Sequence, residues 1–147
     1  MTETQKKRIV VKVGTSTLTH DGFSLNLRSF DRLARVLSDI SNRGWEVILV
    51  SSGAIAVGAG KLRMSERPKA LELKQAAASV GQCELMHLYD KFFGEYGHTI
   101  GQILLTADDI SDPVIAKNLR NTFDSLLSLN ALPIVNENDS VNVSEIE

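Results

Sequence analysis

The stretch WEVILVSSGAIAVGAG, residues 45–60, decides how the rest of the chain is read. Its first six residues, Trp45 to Val50, are apolar apart from Glu46. A short aliphatic run of this kind suits a strand of a sheet covered on both faces. It breaks off in Ser51-Ser52-Gly53, and small apolar residues interrupted by Gly58 and Gly60 follow. Each of those glycines costs about 0.5–1 kcal/mol inside a helix. A short helix or turn with a functional reason is therefore expected, not a long regular helix. If that helix starts near Ala54, its free N–H groups and dipole face the serine loop and favour an anion there.

Working outward, RIVVKV (8–13) is a second β-branched strand candidate, followed by GTSTLTHDG as a loop. Leu27, Phe30, Leu33, Ala34, Leu37 and Ile40 recur at spacings of three and four. That spacing predicts an amphipathic helix stopped by Gly44. Beyond residue 60, a longer helix is expected from Lys69 to Phe93, with Gly81 marking a close helix contact or a bend. HTIGQILLT (98–106) reads as a strand and ADDISDPVIAKNLRNTFDSLLSLN as a loop followed by a helix. Ile115, Leu119, Thr122, Phe123, Leu126 and Leu127 form the packed face of that helix, and LPIV (132–135) is the fourth strand. Strands alternating with helices predict an α/β sandwich with right-handed crossovers.

At 147 residues the chain fits one domain, and a chain of this size buries roughly 68–70% of its extended surface. A formal net charge of −2 gives no broad electrostatic case for nucleic acid. No apolar run approaches the ~20 residues of a membrane span, and MTETQKKR is not followed by a signal-peptide core. The single cysteine, Cys83, has no internal disulfide partner, so a reduced, cytoplasmic setting is expected, with Cys83 buried in its helix. His20, His87 and His98 are too scattered for a zinc set. TADDISDP lacks the calcium-loop pattern, so Asp108, Asp109 and Asp112 read as a helix start or solvated turn. NVS at Asn142 matches a glycosylation acceptor only formally.

Four loops carry chemistry-bearing residues. Lys12, Gly14, Thr15 and Ser16 combine a cation, a close-approach glycine and hydroxyl donors, which fits a phosphate or a plain tight loop. The segment is neither a P-loop nor a dinucleotide fingerprint. Ser51, Ser52 and Gly53 form the second loop. The third, LKQAAASVGQ, places Lys74 on a helix surface and offers Gln82 to bind a carboxylate or orient a loop. In the fourth, Asn136 and Asn138 supply donors and acceptors, and Glu137 and Asp139 supply acceptors. That mixture suits an amino acid, whose ammonium needs acceptors and whose carboxylate needs donors, or an Asx-rich turn.

VVKVGTSTLT, LVSSGAIAVGAG, KQAAASVGQ, GQILLT and LPIVNENDSV, in this order over almost the whole chain, resemble the amino-acid kinase family. The resemblance implies a three-layer α/β/α sandwich with a mostly parallel sheet. Residues 1–147 would be the substrate-binding amino-terminal part of the domain, with the ATP-binding carboxyl-terminal part outside it and catalysis by the isolated chain incomplete. The implied reaction transfers the ATP γ-phosphoryl group to the side-chain carboxylate of L-glutamate, giving γ-glutamyl phosphate at the entry to proline biosynthesis. Lys12 matches the family's catalytic, phosphate-contacting lysine, and Gly14, Thr15, Ser51 and Gly53 match phosphate-facing positions. Ser52 and Asp139 match glutamate-binding positions, with Asn136 and Asn138 as secondary ones. Mg2+ is implied with ATP, without an assignable protein ligand. Proline feedback inhibition and homo-oligomerisation are implied, with no nucleic-acid or membrane partner. An N-acetylglutamate or carbamate kinase is the enzyme alternative, and a noncatalytic small-molecule-binding remnant of a kinase is the other.

Overall fold

The computed structural model describes residues 5–141; the NVS acceptor motif lies outside them. Four strands, β1 (Arg8–Val13), β2 (Glu46–Ser51), β3 (Thr99–Leu105) and β4 (Ala131–Glu137), form one sheet in the order β1-β2-β4-β3. Every neighbouring pair is parallel. Parallel neighbours need crossovers, and helices supply them: α2 (Leu27–Asn42) joins β1 to β2, α3 (Ala54–Lys61) and α4 (Leu71–Glu95) join β2 to β3, and α5 (Ala107–Ser111) and α6 (Pro113–Ser128) join β3 to β4. The connection after β1 begins with the single turn α1 (Thr15–Leu18) and a 3-10 turn at Asp21–Phe23. Because β4 returns between β2 and β3, its carboxyl end emerges in the middle of the sheet.

Strand alternation sorts the core into two layers. On one face, Val13, Val47, Leu49, Leu132 and Ile134 pack with Phe30, Ala34 and Leu37 of α2 and with Leu85, Leu88, Tyr89 and Phe93 of α4. On the other, Ile48, Ile103 and Val135 pack with Leu127, flanked by Leu119, Phe123 and Leu126 of α6. This second layer does not cover β1, where Val10 stays 59% exposed. The three-layer sandwich expected from the family resemblance is therefore present, with a sheet that is parallel throughout.

The helices start where their sequences dictate. Asn26 caps α2 by accepting from the Ser29 N–H at 3.1 Å. Thr106 and Asp109 form a reciprocal capping box on α5, and Asp112, followed by Pro113 at the first helical position, caps α6. The aspartates of TADDISDP are thus helix starts. Three residues of the expected helix faces are instead exposed: Leu27 opens α2, Ile115 lies in the first turn of α6, and the Thr122 hydroxyl turns back to the Asn118 carbonyl at 3.0 Å. Cys83 is also exposed. It sits two residues from both Gly81 and Leu85, so two 100° steps put it on the far side of α4 from the face those residues bury.

Gly58 and Gly81 show what the glycines are for. A Cβ at Gly58 would lie 1.7 Å from the Ala77 carbonyl oxygen, and one at Gly81 would lie 1.6 Å from that of Ala54. The backbones of α3 and α4 are in direct contact through these two positions, so Gly81 marks the close contact. Gly60 approaches the Phe23 carbonyl oxygen in the same way, with a notional Cβ at 2.5 Å.

Candidate active site

The carboxyl ends of the strands surround a cavity of about 640 Å3, within the range typical of small-molecule sites. Lys12 reaches it from β1, where it pairs in register with Val50 of β2. Thr15 lines it from the first turn of α1. Gly14, just before, has an extended backbone and is not part of the wall.

The second loop lies directly against the first. Ser52 donates its N–H to the Val13 carbonyl at 3.0 Å. Gly53 then adopts φ 102°, a left-handed conformation that side chains rarely tolerate, and caps α3. A Cβ on Gly53 would stand 3.6 Å from Thr15 Cα, so the two loops touch. Ser51, Ser52 and Gly53 all line the cavity, but the Ser51 hydroxyl is engaged beneath it, 2.7 Å from the buried Tyr89 hydroxyl. Burial pushes the Tyr89 phenol up to about 12, opposed by its hydrogen bond with Ser51.

The fourth loop is divided between two sides of the sheet. Asn136 pairs with Leu104 and Glu137 with Leu105, so their side chains point to opposite faces. Asn136 is 7% exposed and points toward α4. Its Nδ2 donates to Gln82 Oε1 at 2.7 Å, and its Oδ1 accepts the Glu137 N–H at 2.8 Å. Gln82 Nε2 in turn donates to Gln102 Oε1 at 3.2 Å. Glu137 lies against the large cavity, with Oε1 buried and without a hydrogen-bond partner among the described residues. Asp139 follows a tight bend in which its N–H donates to the Glu137 carbonyl at 3.0 Å.

A second cavity of about 320 Å3 lies on the α4 side, lined by Gln82, Gln102 and Asn138. Asn138 faces only this one, where its Oδ1 accepts from the Ser140 hydroxyl at 2.7 Å. Glu137 and Asp139 line both cavities. Thus Lys12, Thr15, the three residues of the second loop, Asn136 and Asp139 converge on the large cavity, while Gly14 and Asn138 stand outside its wall. A hollow of about 70 Å3 beside Trp45 and Ala131 lies at the amino ends of the strands, away from this chemistry.

Residues not singled out in the sequence also contribute. Arg67 adds a second cation to the wall, and Thr106, Ala107 and Ile110 close it from the β3 side. Arg67 belongs to SERPK, a segment without periodicity or motif, and only the return of this loop over the cleft reveals it. The assembled wall presents cations at Lys12 and Arg67, loop N–H groups near Gly53, and carboxylates at Glu137 and Asp139. That charge distribution suits a ligand with anionic ends and an ammonium group.

The fold and this cleft define a parallel α/β protein with a polar site at the strand ends, and residues 7–146 match the model of the amino acid kinase family; the chain belongs to that family. It is 59% identical to the glutamate 5-kinase of Listeria monocytogenes serotype 4b (strain CLIP80459) over 141 residues, covering 96% of this chain and 51% of that protein. With the glutamate 5-kinase of Clostridium perfringens (strain 13 / Type A) the identity is 57%, covering 96% of this chain and 52% of that protein. The chain therefore spans about half the length of these curated relatives. Among solved structures, the fold is similar to Giardia carbamate kinase (TM-score 0.58, 13% identity, 90% of this chain and 60% of that one). It is also similar to the UMP kinase of Ureaplasma parvum (TM-score 0.56, 16% identity, 89% and 55%). At such identities these two structures speak to the fold alone.

Proposed function

We propose that this chain forms the glutamate-binding and phosphoryl-receiving part of a glutamate 5-kinase, which converts L-glutamate and ATP to γ-glutamyl phosphate at the first step of proline biosynthesis, in the cytoplasm. The observation that carries this reading is the convergence of Lys12, Thr15, Ser52, Gly53 and Asp139 on one cavity at the carboxyl ends of a parallel sheet. The identity to glutamate 5-kinases over 96% of the chain supports the choice of substrate.

A carboxylate is ionised at neutral pH and already nucleophilic, so the reaction requires no general base. The difficulty is to bring two anions together in line, which makes positioning and charge stabilisation the principal tasks. In this proposal Lys12 lowers the repulsion between the incoming carboxylate and the phosphoryl group. The N–H groups at the start of α3 serve oxygens whose charge changes during transfer. Asp139 accepts from the substrate ammonium, and Ser52 orients the substrate on the opposite side.

Among the described residues no three His, Cys, Asp or Glu side chains are grouped to hold a metal ion. Mg2+ is proposed to arrive with the nucleotide, where it would supply charge neutralisation. The relatives' additional length supports the further proposal that residues 1–147 are the substrate-binding part of the domain and that nucleotide binding is completed outside them. Proline as a feedback ligand and assembly into homo-oligomers belong to the same proposal.

The test is ATP-dependent hydroxamate formation from L-glutamate and hydroxylamine by the full-length protein, with N-acetylglutamate and carbamate as competing acceptors. Turnover with glutamate alone supports the reading. Preference for either competitor refutes the substrate, and loss of all three activities with retained ligand binding indicates a noncatalytic binding protein.

A further inference from the structure

We infer that Gln82 is a positioning residue for the proposed reaction: through Asn136 it fixes the Asp139 loop relative to the Ser52–Gly53 loop. The inference rests on the glutamate-site reading, but its physical basis is independent of any ligand. Asn136 was expected to meet substrate, yet both ends of its buried amide are engaged within the protein. Its Oδ1 holds the Glu137 N–H, the last amide of β4 before the bend that delivers Asp139 to the cavity. Its Nδ2 is held at 2.7 Å by Gln82.

Gln82 has a favourable place for this task because it follows Gly81 on α4. At Gly81 the helix backbone touches Ala54, the first residue of α3 after the Gly53 cap. One short segment of α4 therefore contacts the helix carrying the second loop and, through the next side chain, the strand end carrying the fourth. The Ser52–Gly53 loop and the bend that carries Asp139 are thereby both tied to this segment of α4. Gln102 of β3 completes the chain by accepting from Gln82 Nε2 at 3.2 Å, which orients the Gln82 amide so that its oxygen faces Asn136. Removing the Gln82 amide leaves the Asn136 donor unpaired in a buried place, and the strand end then has reason to rearrange.

The full-length protein tests this in two arms. In the absence of ligand, hydrogen exchange of the Glu137–Asp139 amides is compared in the parent and Gln82→Met, an unbranched replacement of similar length without hydrogen-bonding groups. Exchange at these amides should accelerate roughly tenfold, the worth of one such hydrogen bond, with the β4 interior unchanged. In the second arm, L-glutamate should bind Gln82→Met about tenfold more weakly while nucleotide affinity is unchanged. The double variant Gln82→Met/Asn136→Ala should bind glutamate no worse than Asn136→Ala alone, because the two residues act as one unit. Gln102→Met, which removes only the exposed end of the chain, should give a smaller loss of the same kind. Unchanged exchange in Gln82→Met, equal weakening of both ligands, or additive losses in the double variant would overturn the positioning role. Faster exchange in a protein that does not bind glutamate at all would sustain the positioning role and sink the substrate reading instead.

Discussion

Gly81→Ala should destabilise the protein even though alanine is the better helix former. On propensity alone the substitution gains about 1 kcal/mol in a helix interior. Against this, the new Cβ would lie 1.6 Å from the Ala54 carbonyl oxygen and 2.7 Å from the Gly58 N, the first some 2 Å short of ordinary contact. Both obstacles are backbone atoms of α3, so no rotamer change relieves them and the two helices must separate. Overpacking of this kind costs about 3 kcal/mol or more at the upper end of its range, leaving a net loss of about 2 kcal/mol. With a urea dependence of roughly 1–3 kcal/mol per molar for a small domain, the midpoint should fall by about 1 M. Gly94→Ala on the same helix is the matched control, because a Cβ there meets nothing within 4 Å. It should raise stability by about 0.5 kcal/mol. A Gly81→Ala midpoint equal to or above the parent's would refute the argument that α3 and α4 touch through their backbones.

Asp139→Asn should weaken L-glutamate binding by roughly ten- to hundredfold, the range of a charge-assisted hydrogen bond, with nucleotide affinity retained; calorimetric titration of both ligands checks this. Lys12→Met should lower kcat by about 10^2–10^3, as removal of a charge-stabilising donor does elsewhere, while thermal stability changes little because Lys12 is exposed. Tyr89→Phe removes the 2.7 Å contact with Ser51 and should cost about 1 kcal/mol at neutral pH. The phenol is pushed from its ordinary value of 10.0 up to about 12 in the folded protein, so its neutral form favours folding: this contribution is complete below pH 10 and is lost as pH rises toward 12. Stability measured across that window should therefore fall less steeply in Tyr89→Phe than in the parent, and parallel curves would contradict the burial of the phenol.

The order of elements was legible because short aliphatic runs and three-and-four spacing report the backbone period directly. RIVVKV and WEVILV became β1 and β2 almost residue for residue, and the expected helix at 69–93 became α4, displaced by two residues. Exposure was less legible at the helix peripheries. Leu27, Ile115 and Cys83 have the composition of core residues, but whether such a residue is covered depends on what packs beside it. Gly58 and Gly81 raised the question of close approach without naming a partner, since the contacts join Gly58 to Ala77 and Gly81 to Ala54, far apart in the chain.

For the site, the sequence by itself determined which loops carry donors, cations and carboxylates, because polar residues immediately after a buried strand must emerge at its end. Tertiary structure decided their division of labour. Strand alternation sends Asn136 toward α4 and Glu137 to the other face, so neighbours in NEND do different work. The parallel crossovers bring Lys12, Ser52 and Asp139 to one cavity and carry Arg67 over it, whereas Gly14 and Asn138 fall outside the wall. Local sequence sets periodicity and capping through interactions a few residues long; the placement of a side chain in a cleft depends on packing between segments far apart in the chain, and only the assembled sheet and helices fix that.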